Sequence, residues 1–363
     1  MRAIKPEQGR NAGTGFKAGA TALALMAWCA GSSAAPAVSA TNDVDSASVQ
    51  EQFLMAPLAS HRGSFFYAAL GVPMLESAET LPAHTGYLRL RTDYAYSSRG
   101  PTMGNDQRRR QYVQETFRSG KTPRDIFSGL YDTWLAVEGT YGLLPWLEVG
   151  ARAAYGGWYE HEDTFYLFDR EGRPLVRFED RDIKGEGASG RQDDISDAVL
   201  SAKARLLRSG DASLMNTLSV GASVKLPMAA GRNLEDAGTT DFALRLLDSL
   251  DAGPFSVHVN VAGVVPAGSQ NLFIKEDDVS LDPFLAGGLG VTWRATDTLA
   301  FDVQAEGNTS AFRDVRFLDG NVLTVTAGAR KLIGSYVLEA GFGKGCTEVS
   351  YDWSGFLAVG RPF

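Results

Sequence analysis

The segment LAFDVQAEGN, residues 299–308, places Leu299, Phe301, Val303 and Ala305 on one edge. Ala300, Asp302, Gln304, Glu306 and Asn308 fall on the other. A period of two is that of a β-strand with one oily and one polar face. The pattern recurs about twelve times between Gly86 and Phe363, mostly in runs of nine to thirteen residues. Each run keeps its phase: Leu88, Leu90, Tyr94 and Tyr96 oppose Arg89, Arg91 and Asp93. Likewise Phe242, Leu244 and Leu246 oppose Asp241 and Arg245, and Phe255, Val257, Val259 and Val261 oppose Ser256, His258 and Asn260. Soluble strands average about 5–6 residues, whereas a tilted strand needs about 9–11 to cross a bilayer.

The spacing of the runs has its own rhythm. LLPW, SGDAS, DAGP, ATDT and LIGS are tight turns after the second, fourth, sixth, eighth and tenth strands. The alternate connections, such as 97–128, 158–194 and 266–281, are longer. Short turns at one end and long loops at the other predict an all-β fold: one antiparallel transmembrane β-barrel of about 12 strands, with periplasmic turns and extracellular loops. Closure is the physical reason. In hydrocarbon every backbone N–H and C=O must be paired, and a sheet closed on itself leaves no edge. A secreted β-sandwich or solenoid is the competing architecture, but no short repeat supports a solenoid. Beyond the N-terminal region no run of 18 apolar residues occurs, so no spanning helix is expected there.

Arg2, Lys5, Arg10 and Lys17 precede an apolar stretch over about 18–30, followed by GSSAAPAVSA. This reads as a signal peptide, residues 1–40, cut after Ala40 behind Val38 and Ala40. Trp28 before Cys29 argues against a lipidation site, and cleavage leaves Cys346 without an intramolecular partner. Residues 41–85, with Pro57, Pro73 and Pro82, are expected to form an irregular periplasmic segment, and 86–363 the barrel. The chain carries 35 basic and 43 acidic residues; losing four basic and one acidic with the signal leaves a net charge of about −11. That balance disfavours nucleic acid as a partner. The expected address is the outer membrane of a Gram-negative bacterium, with lipid, lipopolysaccharide and the barrel assembly machinery as partners. Phe363, ending FLAVGRPF, is the C-terminal assembly signal, although Arg361 departs from the usual apolar residue.

At LGVPMLESAETLPAHTGYLRLRTDYAYS, residues 70–97, the chain resembles an uncharacterised proteobacterial outer-membrane β-barrel family, the domain of unknown function 3187 type. Gly71-Val72-Pro73 stands where that family shows a Gly-Leu-Pro-like element before its first strand, and DDISDAVLSAKARL, residues 193–206, is a second echo. The resemblance spans residues 55–363 and implies a fold and an address, not an activity.

Strand phasing turns sixteen charged side chains into the lumen. The basic ones are Arg89, Arg91, Arg152, Lys203, Arg205, Lys225, Arg245 and Arg330; the acidic ones are Asp93, Glu138, Glu148, Asp197, Asp241, Asp302, Glu306 and Glu339. Five bases come from strands three to six and three acids from strands nine to eleven, which would set a field across a pore and orient small polar solutes. A porin-like channel or binding site for such solutes is the leading expectation. A structural barrel whose charges pair and fill the lumen competes with it. An outer-membrane lipid hydrolase or deacylase comes third: Ser256, His258 and Asn260 offer suitable groups, but they face away from lipid and successive same-face residues are roughly 7 Å apart. No catalytic residue, cofactor or metal is assigned. WYEHEDTFYLFD (158–169) and RRRQYVQETFR (108–118) read as solvated outer loops, and Tyr94, Tyr96, Tyr141, Trp146, Trp293 and Tyr336 as an interfacial girdle.

Overall fold

The computed structural model describes residues 46–58, 74–97, 130–160, 164–168, 174–179, 191–195, 198–211, 213–228, 240–267, 269–270, 279–311, 320–347 and 349–363. Twelve antiparallel strands form the barrel. They are β1 (Gly86–Ser97), β2 (Leu130–Leu144), β3 (Leu147–Glu160), β4 (Arg191–Ile195 continuing as Ala198–Asp211), β5 (Leu214–Leu226) and β6 (Thr240–Ala252). Then come β7 (Phe255–Ala267), β8 (Phe284–Thr296), β9 (Leu299–Asn308), β10 (Val322–Ile333), β11 (Tyr336–Gly345) and β12 (Trp353–Pro362). The two pieces of β4 both pair with β3, at Tyr155↔Ile195 and Arg152↔Val199, one residue out of step. Two short hairpins stand on the long-loop side, Thr164–Phe168 with Pro174–Glu179 and Ser269–Gln270 with Val279–Ser280.

Closure is made by β1, which pairs with β2 on one side and β12 on the other; Leu90 lies opposite both Val137 and Val359. Gly86 N–H donates to Phe363 O and Phe363 N–H to Gly86 O, each at 2.9 Å, tying the last residue to the first strand. A Cβ on Gly86 would overlap the Phe363 ring, so only glycine admits that ring. The two-residue turns Gly253-Pro254 and Gly334-Ser335 begin with left-handed glycines, φ 59° and 57°, which suits the twist of tight hairpins.

Burial follows the alternation. Leu244 is 63% exposed and Val303 59%, while their neighbours Arg245 and Asp302 are each 3% exposed. The exposed set is dominated by Leu, Val and Phe around the whole circumference, a surface solvated by acyl chains rather than water. Tyr141, Trp146, Trp293 and Tyr336 are exposed near the short-turn end, where an interfacial ring is expected.

The N-terminal stretch differs from the irregular periplasmic segment expected from its prolines. Residues Ser46–Met55 form a helix, α1, and both 46–58 and 74–85 lie against the inner wall. Val49 packs with Leu81, Tyr87 and Val337 in a buried cluster that Phe53 and Leu332 flank. The Phe53 ring stacks on Tyr87 at 3.5 Å between centroids. The reason is apolar demand: Val49, Leu54, Leu58, Leu75 and Leu81 are all essentially buried, and a polar-walled barrel offers them cover only if the segment enters it.

Candidate functional site

The lumen is a polar wall filled in part by this N-terminal plug. Asp302 of β9, Arg330 of β10, Glu339 of β11, Arg89 of β1, Glu138 of β2 and Arg152 of β3 form a belt of alternating charge, with one residue from each of six strands. Arg330 Nη1 meets both Asp302 oxygens at 3.0 and 3.1 Å, and its Nε meets Glu339 Oε2 at 3.3 Å. Arg89 Nη1 lies 3.4 Å from Glu339, and its Nε donates to Glu138 at 2.7 Å. Arg152 Nε reaches the other Glu138 oxygen at 3.3 Å. Such a belt is electrically neutral, and each carboxylate has a cation on at least one side.

Two further pairs continue around the wall. Lys203 of β4 lies 3.1 Å from Glu148 of β3, and Lys225 of β5 lies 2.8 Å from Asp241 of β6. Nearer the long loops Arg91 Nε donates to both oxygens of Asp93, at 2.8 and 2.9 Å, and its guanidinium sits 3.9 Å over the Phe356 ring. Glu306 is buried beside Gln304, whose Nε2 donates to it at 3.0 Å. Asp197 lies outside the described residues, as do the side chains of 158–169 and 108–118.

The plug engages the wall along two arms. In the first arm, residues 46–58, backbone carbonyls face donors. His258 Nε2 donates to Met55 O at 3.0 Å, Arg330 Nη1 to Ala56 O, and Gln304 Nε2 to Leu58 O at 2.7 Å. Because a carbonyl only accepts, His258 carries its proton on Nε2, and Nδ1 accepts from Ser249 Oγ at 2.8 Å. Ser249 Oγ in turn accepts Ala78 N–H at 2.9 Å, so one Ser–His pair holds both arms. Ser256 donates instead to Asp251. The row of Ser256, His258 and Asn260 is therefore brought to no common point, and each lies buried inside the barrel, away from any lipid substrate.

In the second arm, residues 74–85, two carboxylates face cations. Glu76 receives Lys203 Nζ at 2.9 Å and Arg245 Nη1. Glu79 receives Arg205 Nη1 and Arg208 Nε, each at 3.2 Å, and the Thr217 hydroxyl at 2.6 Å. Burial alone would raise the Glu76 carboxyl, but the Lys203 and Arg245 charges outweigh it and hold the pKa at about 2. The surplus of bases on β3 to β6 is thus neutralised from within, and the field expected from the wall alone is largely cancelled. Strand phasing could not supply Glu76 and Glu79, because they lie outside the barrel strands. The signal available was the acidic pair in LESAE, the only charged residues between Met74 and Leu81.

Beside the plug a cavity of about 140 Å³ remains, lined among others by Gln52, Glu138, Thr140, Arg152, Ser201 and Lys203. It has room for several water molecules. Among the described residues no group of three or more His, Cys, Asp or Glu side chains converges as a metal site.

No protein-family model matches the chain, and no curated protein matches it in sequence. Solved structures do. An outer-membrane channel from Pseudomonas putida F1 superposes with a TM-score of 0.58 at 12% identity, over 79% of this chain and 98% of that one. The translocator domain of the autotransporter NalP from Neisseria meningitidis gives 0.40 at 12% identity, over 77% and 88%. The outer-membrane phospholipase dimer from Salmonella typhi gives 0.32 at 10%, over 84% and 98%. The first likeness establishes the fold: this chain is a closed antiparallel β-barrel of the kind that outer-membrane proteins have.

Proposed function

We propose that the protein is a channel for small polar solutes, narrowed by its own N-terminal segment. The observation that carries this reading is the cavity between plug and wall: guanidinium, ammonium, carboxylate and hydroxyl groups reach into it beside the apolar side chains of the plug. Such a lining solvates water and small polar molecules at little cost, and its alternating charges offer successive weak contacts that a solute can exchange. The structural likeness to a protein described as an outer-membrane channel agrees with it. In this reading the mature chain begins after Ala40, and the assembly machinery inserts it by way of Phe363, which is 69% exposed at the end of β12. Lipopolysaccharide surrounds its long loops.

The sealed structural barrel is the second reading, favoured by the number of bonds that tie the plug to the wall. Planar-bilayer recording of the purified mature chain separates the two. Small discrete current steps are the expected result. No step above baseline, in either the wild type or a variant with a loosened plug, would leave the sealed barrel standing.

A further inference from the structure

The plug's two carboxylates are received as ligands are. Glu76 and Glu79 are three residues apart, and each is met by convergent donors from the wall. Lys203 of β4 and Arg245 of β6 hold the first; Arg205 and Arg208 of β4 with Thr217 of β5 hold the second. Lys203 and Arg205 are same-face neighbours on β4, roughly 7 Å apart at two strand steps, so the two nests are set side by side. The Lys203 and Arg245 side chains are only 6% and 2% exposed even though the wall supplies few counter-charges here: Glu148 beside Lys203, and Asp251 bonded to Ser256 near the short-turn end. Arg245 Nε is buried without a hydrogen-bond partner. Arg245 therefore makes a contact that uses only part of its planar fork, where a free carboxylate can take both edges. Gly221 opposite it keeps the space: a Cβ there would stand 3.1–3.3 Å from the guanidinium.

We propose that Lys203, Arg205, Arg208, Thr217 and Arg245 form a binding site for a small dicarboxylate, which Glu76 and Glu79 occupy as an internal surrogate. The inference rests on the solute-passage reading and names its solute class. A dicarboxylate that competes for the two nests displaces the second arm of the plug, and with it the ion pairs that narrow the lumen. Neutral analogues of the same size gain nothing from the nests and leave the plug in place.

The test is calorimetric titration of the detergent-solubilised full mature chain with adipate, and with adipamide as the uncharged control. The Glu76→Gln/Glu79→Gln variant should bind adipate at least tenfold more tightly than the wild type. Adding Arg205→Gln and Arg245→Gln should abolish the gain, and adipamide should bind none of the proteins. Heat-modifiable electrophoretic mobility reports whether each variant is a folded barrel. Glu79→Gln alone, which keeps the Glu76 contact with Lys203 and Arg245, should show an intermediate gain and serves if the double variant does not fold. Unchanged adipate affinity in the folded variants, or equal binding of adipamide, overturns the site whatever the conductance records show. Tight adipate binding with no conductance in any variant leaves the site and overturns the channel.

Discussion

Arg330 offers the sharpest test of how the lumen is held together. Its side chain is 2% exposed and serves three partners: Asp302, Glu339 and the Ala56 carbonyl of the plug. Arg330→Met keeps most of the volume and removes the cation. Glu339 retains Arg89 at 3.4 Å, but Asp302 is left with the Thr292 hydroxyl as its remaining donor among the described contacts. Removing one partner of a buried pair costs about 3–5 kcal/mol, chiefly because the other charge stays buried and uncompensated. The retained Arg89 contact places the expected loss near the lower end, about 3 kcal/mol. Guanidinium unfolding in detergent micelles, followed by tryptophan fluorescence and by heat-modifiable mobility, measures it. Arg330→Met/Asp302→Asn should recover at least half of the loss, since Asn keeps the Thr292 contact and buries no charge. Moderate salt should leave the difference nearly unchanged, because buried pairs are poorly screened. A single variant within about 1 kcal/mol of wild type, or a double variant no better than the single, would refute the account of buried uncompensated charge.

Other outcomes follow from the same geometry. Leu244→Arg puts a charge on the outer face of β6, where the leucine is 63% exposed, and should cost about 2–4 kcal/mol if that face meets mid-bilayer lipid; refolding titrations into lipid vesicles would read it, and no loss would deny the lipid contact. Gly328→Ala would drive a Cβ into the Ala340 carbonyl and set it 2.6 Å from the Leu58 side chain, so unfolding titrations should show a loss of about 1–3 kcal/mol from overpacking. Glu76 has a lowered pKa of about 2 against an ordinary 4.5, so its latch is fully present above pH 4.5 and lost as pH falls toward 2. Discounting for the quarter of the side chain that is exposed, the latch is worth about 2 kcal/mol. The stability gap between wild type and Glu76→Gln, measured from pH 7 downward, should therefore hold steady to about pH 5 and then close.

The strands were legible because the bilayer imposes one rule on all of them. A residue such as Leu244 must face lipid and Arg245 must not, so a two-residue period fixes both faces and, with the tight turns, the strand count. The same phasing turned fifteen of the sixteen charged candidates inward as the structure describes them, and Asp197 lies outside the described residues. What it could not give is who pairs with whom. That Arg330 bridges β9 and β11, or that Arg89 joins Glu339 to Glu138 across the closing seam, depends on register and on closure, which are non-local. The plug was illegible for a different reason. Val49, Phe53 and Leu54 are too few to declare a helix's destination, and carbonyls such as Met55 and Ala56, which His258 and Arg330 use, carry no side-chain signature at all.

The wall's chemistry also weighs on whether the plug is a permanent seal. A sealed lumen needs nothing from its charges that apolar residues would not supply as well. Buried ion pairs replaced by well-packed hydrophobic side chains of similar volume are often neutral or more stable. Yet the described lumen keeps Arg89, Arg91, Arg152, Lys203, Lys225, Arg245 and Arg330 with their acids, and the plug meets it largely through carboxylates and carbonyls. Its apolar anchor around Val49, Leu81, Tyr87 and Val337 sits at the short-turn end. An element held by apolar contacts at its base, and again through Leu58 and Leu75 further along, but joined to the wall between them by exchangeable polar contacts, can give up those polar contacts to a solute while staying attached. Stability alone does not account for those polar contacts, whereas the solute passage proposed above makes use of them.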